Sequence, residues 1–213
     1  MEINFNGKRA LVTGASKGIG RDIAVQLSKC GAKVVAVARS KDLLDKLKSE
    51  HPSIETIQLD VSDWKKTDQV LSKSGPIDLL VNNAGLGWLK PMTEIEQKDC
   101  DDVFAINTKA LINVTRLVVK DLLARKAPGS IVNISSQASL VGLLNHTVYC
   151  ASKGAVDAFT RAAALEYGPY NIRVNAVNPT VIMTEMGKLG WSDPKIAGPF
   201  LEKIPLRRYG DGK

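Results

Sequence analysis

The sequence predicts an α/β fold in which a doubly wound parallel sheet is covered by helices on both faces. Three observations predict it: β-branched apolar runs alternate with segments of helical periodicity, glycine or polar residues separate them, and the first junction is glycine-rich. Such alternation implies right-handed βαβ crossovers and a parallel sheet buried on both sides. At 213 residues, with no linker or repeat, residues 1–213 are expected to form a single domain.

The first half of the chain contains three strand-to-helix units. Residues 8–13 form an apolar run between Gly7 and Gly14, and helical spacing of apolar positions follows over 19–27. The next two units repeat the alternation, with strands at 33–38 and 54–59, a helix that Ser40 can N-cap and that runs to residue 48, and a helix at 63–73.

The second half begins with a buried strand at 77–81 that leads into Asn82-Asn83-Ala84-Gly85. Thr93 and Glu96 have the spacing of a capping box and are expected to open further helix. The remaining predicted elements are a long helical stretch at 101–126, strands at 130–134 and 172–177, and a helix from about 149 to 167 that Gly168 and Pro169 end.

Composition argues against disorder, secretion and membrane insertion. Hydrophobic residues make up 44% and charged residues 24% of the chain, and mean hydropathy is −0.06, values typical of soluble domains. No apolar run approaches the ~18 residues of a spanning helix, and polar residues interrupt the start of the chain where a signal core would lie. We expect a cytoplasmic protein with no integral membrane segment.

The charge balance indicates an anionic partner, since the net charge is +7 and the pI is about 9.3. The longest basic clusters, Lys65-Lys66 and Arg207-Arg208, are short and lack interleaved aromatic residues, so nucleic acid is not the expected partner. A phosphorylated cofactor would use the charge more locally.

The three cysteines, Cys30, Cys100 and Cys150, are odd in number and widely spaced. This arrangement fits neither a disulfide framework nor a CxxC metal site. We expect reduced packing residues and no bound metal.

The first strand-to-helix junction has the features of a phosphate-binding turn. Residues 13–20 read Thr-Gly-Ala-Ser-Lys-Gly-Ile-Gly, and the glycines permit a tight turn and close approach of the backbone to a pyrophosphate. The following helix N-terminus would face the anion. Because ligands of such sheets bind at the carboxyl ends of the strands, the loops that follow the other strands are expected to complete the site.

The TGxxxGIG spacing, Asn82-Asn83-Ala84-Gly85 and the pair Tyr149-x-x-x-Lys153 together resemble the short-chain dehydrogenase/reductase family, from Gly7 to the last residue. Tyr149-Cys150, residues 174–181 and Trp191-Ser192-Asp193-Pro194 resemble the branch of L-xylulose reductases and tetrameric carbonyl reductases. The resemblance implies a Rossmann-like sheet and an NADP-dependent oxidoreductase acting on CH-OH groups. It also implies a homotetramer.

The activity that this branch implies is NADPH-dependent reduction of small ketoses and dicarbonyl compounds, with L-xylulose to xylitol as the favoured reaction. A carbonyl, acyl-thioester or steroid ketone reductase on the same scaffold is the alternative, since pocket residues rather than the fold decide the substrate. A truncated non-catalytic subunit, or a basic protein that binds RNA or an anionic membrane, is a further alternative.

The cofactor is expected to be NADP(H). An NAD-selective fold usually presents an acidic residue at the end of the second strand, and this chain has Arg39, which can pair with a 2′-phosphate, while Lys17 offers a second cation. Asp60 resembles the family's adenine-contacting residue. For Asn82 we expect only local turn chemistry. The expected cofactor residues are Gly14, Ser16, Lys17, Gly18, Ile19, Gly20, Arg39, Ser40, Asp60, Val61, Asn83, Ala84, Gly85, Tyr149, Lys153, Pro179, Val181 and Thr184.

Tyr149 and Lys153 are four residues apart and project from one face of a helix. Tyr149 is the expected proton donor to the substrate carbonyl, and the Lys153 ammonium, with the charge of oxidised nicotinamide, is expected to bring its pKa toward neutrality. By resemblance, Ser136 rather than its competitor Ser135 clamps the carbonyl oxygen, and Asn107 holds a water in the proton relay.

Residues 181–203 have the composition of a substrate lid, with a helix start at Ser192-Asp193-Pro194. The resemblance implies that Gln137, His146 and Trp191 border the substrate pocket together with Ser136 and Tyr149. Polar groups beside one tryptophan suit a hydroxylated substrate.

The family continues after a segment like residues 205–209 with a helix, a glycine-rich turn and a final strand, on the order of 30 further residues. This sequence stops at Lys213, so we expect the sheet to lack the C-terminal strand of the family. An exposed parallel edge and apolar surface would follow.

Overall fold

The computed structural model describes residues 3–211. It contains a parallel sheet of six strands in the order β3-β2-β1-β4-β5-β6, which confirms the predicted α/β class. The strands are β1 Arg9–Thr13, β2 Lys33–Ala38, β3 Glu55–Gln58, β4 Leu79–Asn82, β5 Gly129–Ile134 and β6 Ile172–Val177. The strand order reverses between β1 and β4, so the loops after these two strands diverge and leave a crevice.

Helices cover both faces of the sheet. Their bounds are α1 Gly18–Lys29, α2 Lys41–Glu50, α3 Trp64–Leu71, α4 Gln97–Phe104, α5 Leu111–Arg125, α6 Thr147–Tyr167, α7 Glu185–Trp191 and α8 Pro194–Leu201. Short 3₁₀ turns occupy Met92–Glu94, Gln137–Ser139 and Gly168–Tyr170, and a π-helical segment, Ala105–Ala110, joins α4 to α5.

Alternation along the strands divides the core into two layers. In β1, Leu11 packs with residues of α5 and α6, whereas its neighbour Val12 packs with residues of α1 and α2 on the opposite face. Successive side chains of a strand point to opposite sides, and both sides of this sheet are covered, so the strands read as continuous apolar runs. The strands at 33–38 and 172–177 are therefore confirmed residue for residue.

The predicted capping box at Thr93 and Glu96 is wrong. Thr93 lies inside the 3₁₀ turn Met92–Glu94, and Glu96 is itself the N-cap of α4, with Asp99 completing a capping box one helical turn later. Asp99 also accepts a hydrogen bond from Lys90, which fixes where the helix begins. An acidic N-cap satisfies the free N–H groups of the first turn as well as a hydroxyl does.

The long helical stretch predicted at 101–126 begins earlier and is not uniform. It starts at Gln97, widens into the π segment and ends at Arg125. The strand predicted at 77–81 is also displaced to Leu79–Asn82, since Asp78 bonds the backbone of Arg9 through its side chain before the regular ladder with β1 starts.

The segment after β6 folds back over the carboxyl edge of the sheet. It contains α7 and α8, with Asp193 capping α8, and its start is held by Gly210, which pairs with Val181 and Met183 through the backbone. The three cysteines are free thiols. Within residues 3–211, no helix combines the length and apolarity needed to cross a bilayer.

Candidate active site

A cleft of about 650 Å³ opens at the carboxyl ends of the strands, where the sheet order reverses. Its walls come from the loops after all six strands, from α6 and from the segment that contains α7. This is the position at which doubly wound sheets bind their ligands.

The glycine-rich turn after β1 is held against the loop after β4. Gly14 and Gly18 have positive φ angles of 65° and 54°, which side chains other than glycine rarely adopt. The Asn83 amide donates to the carbonyl oxygens of Thr13 and Gly14 at 3.1 Å each, and the Thr13 hydroxyl accepts from the backbone of Asn83. A Cβ on Gly20 would overlap Asn83 Nδ2, so this glycine permits the contact between the two loops.

Basic side chains line the end of the cleft next to β2. The Arg39 guanidinium lies 3.8 Å from the Asp60 carboxylate, and 65% of its side chain is exposed. Lys17 and Ser40 are the N-cap residues of α1 and α2, and neither side chain makes a capping hydrogen bond. Both remain available to a ligand at two helix N-termini.

The residues present fit NADP(H). A Cβ on Gly14 would lie 2.8 Å from Ala84 Cα, so this glycine lets the turn pack against the loop after β4. The turn leads into the N-terminus of α1, whose backbone N–H groups could hold a pyrophosphate. Arg39 and Lys17 supply the cations that a 2′-phosphate requires, and among the described residues of the cleft wall no carboxylate but Asp60 lies at the end of β2 or β3.

Tyr149 and Lys153 project into the cleft from the first two turns of α6, as their spacing predicts. The Tyr149 hydroxyl is close enough to that of Ser136 for the serine to lower its pKa. Lys153 is buried, its Nζ donates to the carbonyl oxygen of Ile134 at 2.8 Å, and it lies 5.7 Å from the centroid of the Tyr149 ring.

The expected lowering of the Tyr149 pKa is not produced by the chain's own groups. Burial raises the pKa of this phenol, and the hydrogen bond with Ser136 opposes the rise only in part. Burial likewise lowers the pKa of Lys153 to about 8, against an opposing effect of Asp157. Desolvation penalises the charged form of each group and is the largest effect on both pKa values.

The structure separates the two candidate serines after β5. The Ser135 hydroxyl is buried and points to the Lys153 carbonyl oxygen at 3.4 Å. The Ser136 hydroxyl instead accepts from Ala138 N at 3.1 Å and meets the phenol of Tyr149 in the cleft. Only Ser136 is placed to reach a ligand that also contacts Tyr149.

Asn107 lies behind the cleft wall, in the π segment, and is 1% exposed. Its Oδ1 accepts from Leu86 N at 2.7 Å, while its Nδ2 donates to Leu86 O and to the hydroxyl of Ser152, at 2.8 and 2.9 Å. The side chain thus ties the loop after β4 to α6. π segments frequently occur at functional sites because they redirect one residue of a helix.

Aromatic rings form the substrate end of the cleft. The His146 ring lies 6.2 Å from the Tyr149 ring and is stacked 6.4 Å from the Trp191 ring. Trp191 is supported from behind by Phe200 at 4.2 Å and by Tyr209 at 6.3 Å. This cluster holds Trp191 against the His146 ring, which in turn lies beside Tyr149.

Most of the predicted site residues meet in this one cleft. Its wall includes every predicted cofactor, catalytic and substrate residue except Gly20 and Asn107, which lie directly behind it. Asn82 is not part of it: the Asn82 amide is buried and donates to Thr115 and Asn133, which is a structural role within the sheet rather than turn chemistry.

Several wall residues were not predicted. They include Leu43 of α2, Ile106 of the π segment, and Leu59, Gly87, Leu89 and Leu143 of loops. By contrast, Ile182, Glu185, Gly187 and Gly190 lie within the segment 181–203 that the sequence predicts as a lid. Apolar loop residues carry no chemical motif.

The chain matches the family model described as short chain dehydrogenase over residues 8–194. It is 51% identical over 211 residues to the L-xylulose reductase of Mus musculus, covering 99% of this chain and 86% of that protein. It is 43% identical over 211 residues to carbonyl reductase (NADPH) 2 of Sus scrofa, again covering 99% of this chain and 86% of the relative.

Solved structures agree with these matches. A gluconate 5-dehydrogenase from Burkholderia cenocepacia J2315, in complex with NADP and tartrate, is 27% identical and superposes with a TM-score of 0.90, covering 99% of this chain and 86% of that one. Fold, motif placement and sequence identity agree: the chain belongs to the short-chain dehydrogenase/reductase family of oxidoreductases.

Proposed function

We propose that this protein reduces small ketoses and dicarbonyl compounds with NADPH, and that L-xylulose to xylitol is its favoured reaction. The observation that carries the proposal is that Tyr149, Ser136 and buried Lys153 line one cleft whose other end presents Arg39 and Lys17. The L-xylulose reductase and the carbonyl reductase among the relatives support the substrate class.

NADPH supplies the hydride when it is bound. The glycine-rich turn would hold its pyrophosphate, Arg39 and Lys17 its 2′-phosphate, Asp60 its adenine, and Lys153 its ribose hydroxyls. The further cofactor contacts that we propose are Ser16, Ile19, Ser40, Val61, Asn83, Ala84, Gly85, Pro179, Val181 and Thr184, all of which line the cleft. Asn83 also supports the turn from behind through its amide.

Tyr149 donates its phenolic proton to the substrate carbonyl oxygen. A phenol is protonated at neutral pH at its usual pKa, and burial raises the pKa of Tyr149 further, so it is in the state that a proton donor needs. Ser136 donates a hydrogen bond to the same oxygen and stabilises the negative charge that develops there. Asn107 lies between Leu86 and α6. There it would hold a water of the relay that returns a proton to Tyr149.

The substrate end suits a short hydroxylated chain. Gln137 and His146 offer polar groups on one side, and Trp191 covers the other. We propose that residues 181–203 act as a lid over this end, within a single domain. A substrate with no hydroxyl groups would leave the polar groups unpaired, at a cost of roughly 1–3 kcal/mol.

We also propose a cytoplasmic homotetramer. Large apolar side chains remain exposed near the edge formed by β6, including Leu165 at 83%, Tyr170 at 58% and Val177 at 50%. Contiguous exposed apolar surface favours subunit contacts. Analytical ultracentrifugation tests the assembly.

The deciding experiment follows NADPH oxidation with L-xylulose, diacetyl, a steroid ketone and an acyl thioester, each at several concentrations. We expect the highest kcat/KM with L-xylulose, followed by diacetyl. Preference for the steroid or the thioester would reassign the substrate class. No turnover of any of the four would favour a non-catalytic role.

A further inference from the structure

Asp157 is a buried carboxylate that the proposed reaction does not use. It lies on α6, one turn after Lys153, is 9% exposed and is not part of the cleft wall. A buried charge costs free energy unless hydrogen bonds or an opposite charge stabilise it. The partners of this carboxylate therefore indicate its role.

Asp157 Oδ2 accepts hydrogen bonds from two side chains of neighbouring loops. Ser139 Oγ donates at 2.5 Å and Asn178 Nδ2 at 2.9 Å, while Oδ1 is buried without a hydrogen-bond partner in the described part of the chain. Burial alone would raise the pKa of this carboxyl, but its hydrogen bonds, including those from Ser139 and Asn178, reverse the effect and lower it. Asp157 is therefore ionised at neutral pH.

The same two side chains reach the backbone of Ser136. Its carbonyl oxygen lies 2.7 Å from Ser139 Oγ and 3.2 Å from Asn178 Nδ2. Ser139 has one hydroxyl hydrogen and the Asn178 amide has two, so together they can serve both the Ser136 carbonyl and the Asp157 carboxylate. The Asp157 carboxylate thus anchors the groups that hold Ser136.

This anchor joins three parts of the molecule. Backbone hydrogen bonds from Ser135 to Val177 and from Gln137 to Pro179, at 2.8 and 2.9 Å, already connect the loop after β5 to the loop after β6. Asp157 connects both loops to α6, the helix that carries Tyr149. Asp157 therefore links the segment that carries Ser136 to the helix that carries Tyr149.

We propose that Asp157 is a positioning residue: by fixing Ser139 and Asn178 it holds the Ser136 backbone so that the Ser136 hydroxyl faces the Tyr149 hydroxyl and the substrate oxygen. The kinetic consequence rests on the proposed reductase function. The structural consequence rests on the hydrogen-bond geometry alone.

The kinetic test compares Asp157→Asn in two backgrounds, the parent and Ser136→Ala. Removal of a transition-state hydrogen-bond donor costs about 10²–10³ in kcat, so misplacing one is expected to lower kcat by about 10- to 100-fold. The Kd for NADPH should stay within about twofold. In the Ser136→Ala background the same substitution should lower kcat less than about twofold, because residues that act through one another are not additive.

Equal falls of kcat in the two backgrounds would overturn the proposal, as would an unchanged kcat in folded Asp157→Asn. If Asp157→Asn does not fold, Ser139→Ala replaces it, because this variant keeps the carboxylate and removes one of its hydrogen-bond donors. Its kcat should fall in the same pattern across the two backgrounds, but by a smaller factor. Glu166→Gln is the matched control, since it removes an exposed carboxylate from the same helix and should leave kcat unchanged.

The structural test needs no substrate. Amide hydrogen exchange by mass spectrometry should show faster exchange over residues 137–140 in Asp157→Asn, while residues of β1 keep the parent rate. Unchanged exchange over 137–140 would refute the anchoring role even in an active enzyme. If the parent reduces none of the carbonyl compounds offered, the reductase function is wrong, and the exchange measurement still decides the role of Asp157.

Discussion

Replacement of Arg39 should change the cofactor preference of this protein with little effect on its stability. The guanidinium is largely exposed, and its nearest charged partner is Asp60 at 3.8 Å, an ion pair of a kind that contributes about 0–1 kcal/mol to folding. Arg39→Ala should therefore fold normally. The effect should appear in binding.

The size of the binding effect follows from the charges at this end of the cleft. A hydrogen bond to a charged group contributes about 1.5–3 kcal/mol, and solvent exposure of Arg39 favours the lower part of that range. Its loss also leaves Asp60 without its counter-charge, next to where the 2′-phosphate would lie. We expect NADPH binding to weaken about 10- to 100-fold in Arg39→Ala, and NADH binding to change less than about threefold.

Arg39→Asp should extend the effect, because a carboxylate repels a 2′-phosphate and accepts hydrogen bonds from the ribose hydroxyls. Titration of intrinsic fluorescence with NADPH and with NADH, at two salt concentrations, measures both affinities. The salt dependence of NADPH binding should be smaller in Arg39→Ala than in the parent. Lys17→Ala should weaken NADPH binding selectively as well.

Lys41→Ala is the matched control, because Lys41 is an exposed cation two residues further along that pairs with Asp45 outside the cleft wall. Neither cofactor should be affected by it. Equal losses of NADPH and NADH affinity in Arg39→Ala, or equal affinities for the two cofactors in the parent, would refute the role assigned to the basic residues.

Four further outcomes are expected. Tyr149→Phe should lower kcat about 10²- to 10⁴-fold with unchanged NADPH affinity, and normal turnover would exclude it as the proton donor. Lys153→Met should weaken both turnover and NADPH binding. Burial lowers the pKa of Lys153 to about 8, while the unfolded side chain keeps its higher value, so the parent should gain stability relative to Lys153→Met as the pH rises from 8 to about 10.5. Urea titrations of both proteins across this pH range measure the difference in unfolding free energy. Trp191→Ala should lower kcat/KM for L-xylulose by roughly tenfold with little change in NADPH affinity, and comparable kinetics would contradict the lid. Gly20→Ala should destabilise the fold by about 1–3 kcal/mol and weaken NADPH binding, because the new methyl group overlaps Asn83; a Tm equal to that of the parent would refute the packing argument.

The strands could be predicted because burial on both faces of the sheet leaves a strong apolar signal. Strands β2 and β6 were predicted residue for residue, whereas β4 was displaced because Asp78 bonds the Arg9 backbone through its side chain before the ladder begins. The start of α4 was misplaced since Glu96 can end one capping box or begin another, and only its contact with Asp99 decides between them.

Within the site, residues with distinctive chemistry were predictable and their supporting contacts were not. Helical spacing alone brings Tyr149 and Lys153 together, but the assignment of Ser136 over Ser135 depends on side-chain directions that a sequence does not encode locally. The rise of the Tyr149 pKa caused by burial could not be predicted, because the depth of burial is a property of the fold. The same holds for Asp157, which no sequence motif distinguishes from a surface carboxylate.

Because of the π segment Ala105–Ala110, the relative orientation of α4 and α5 depends on the exact number of residues between them. A π turn takes one residue more than an α turn, so α4 and α5 are offset by about 100° relative to one continuous α-helix. Deleting a single residue between 105 and 110 would bring the two helices into one phase, and a different side chain would then face Leu86 in place of the Asn107 amide. A homologue one residue shorter between 105 and 110 should therefore present a different side chain to Leu86.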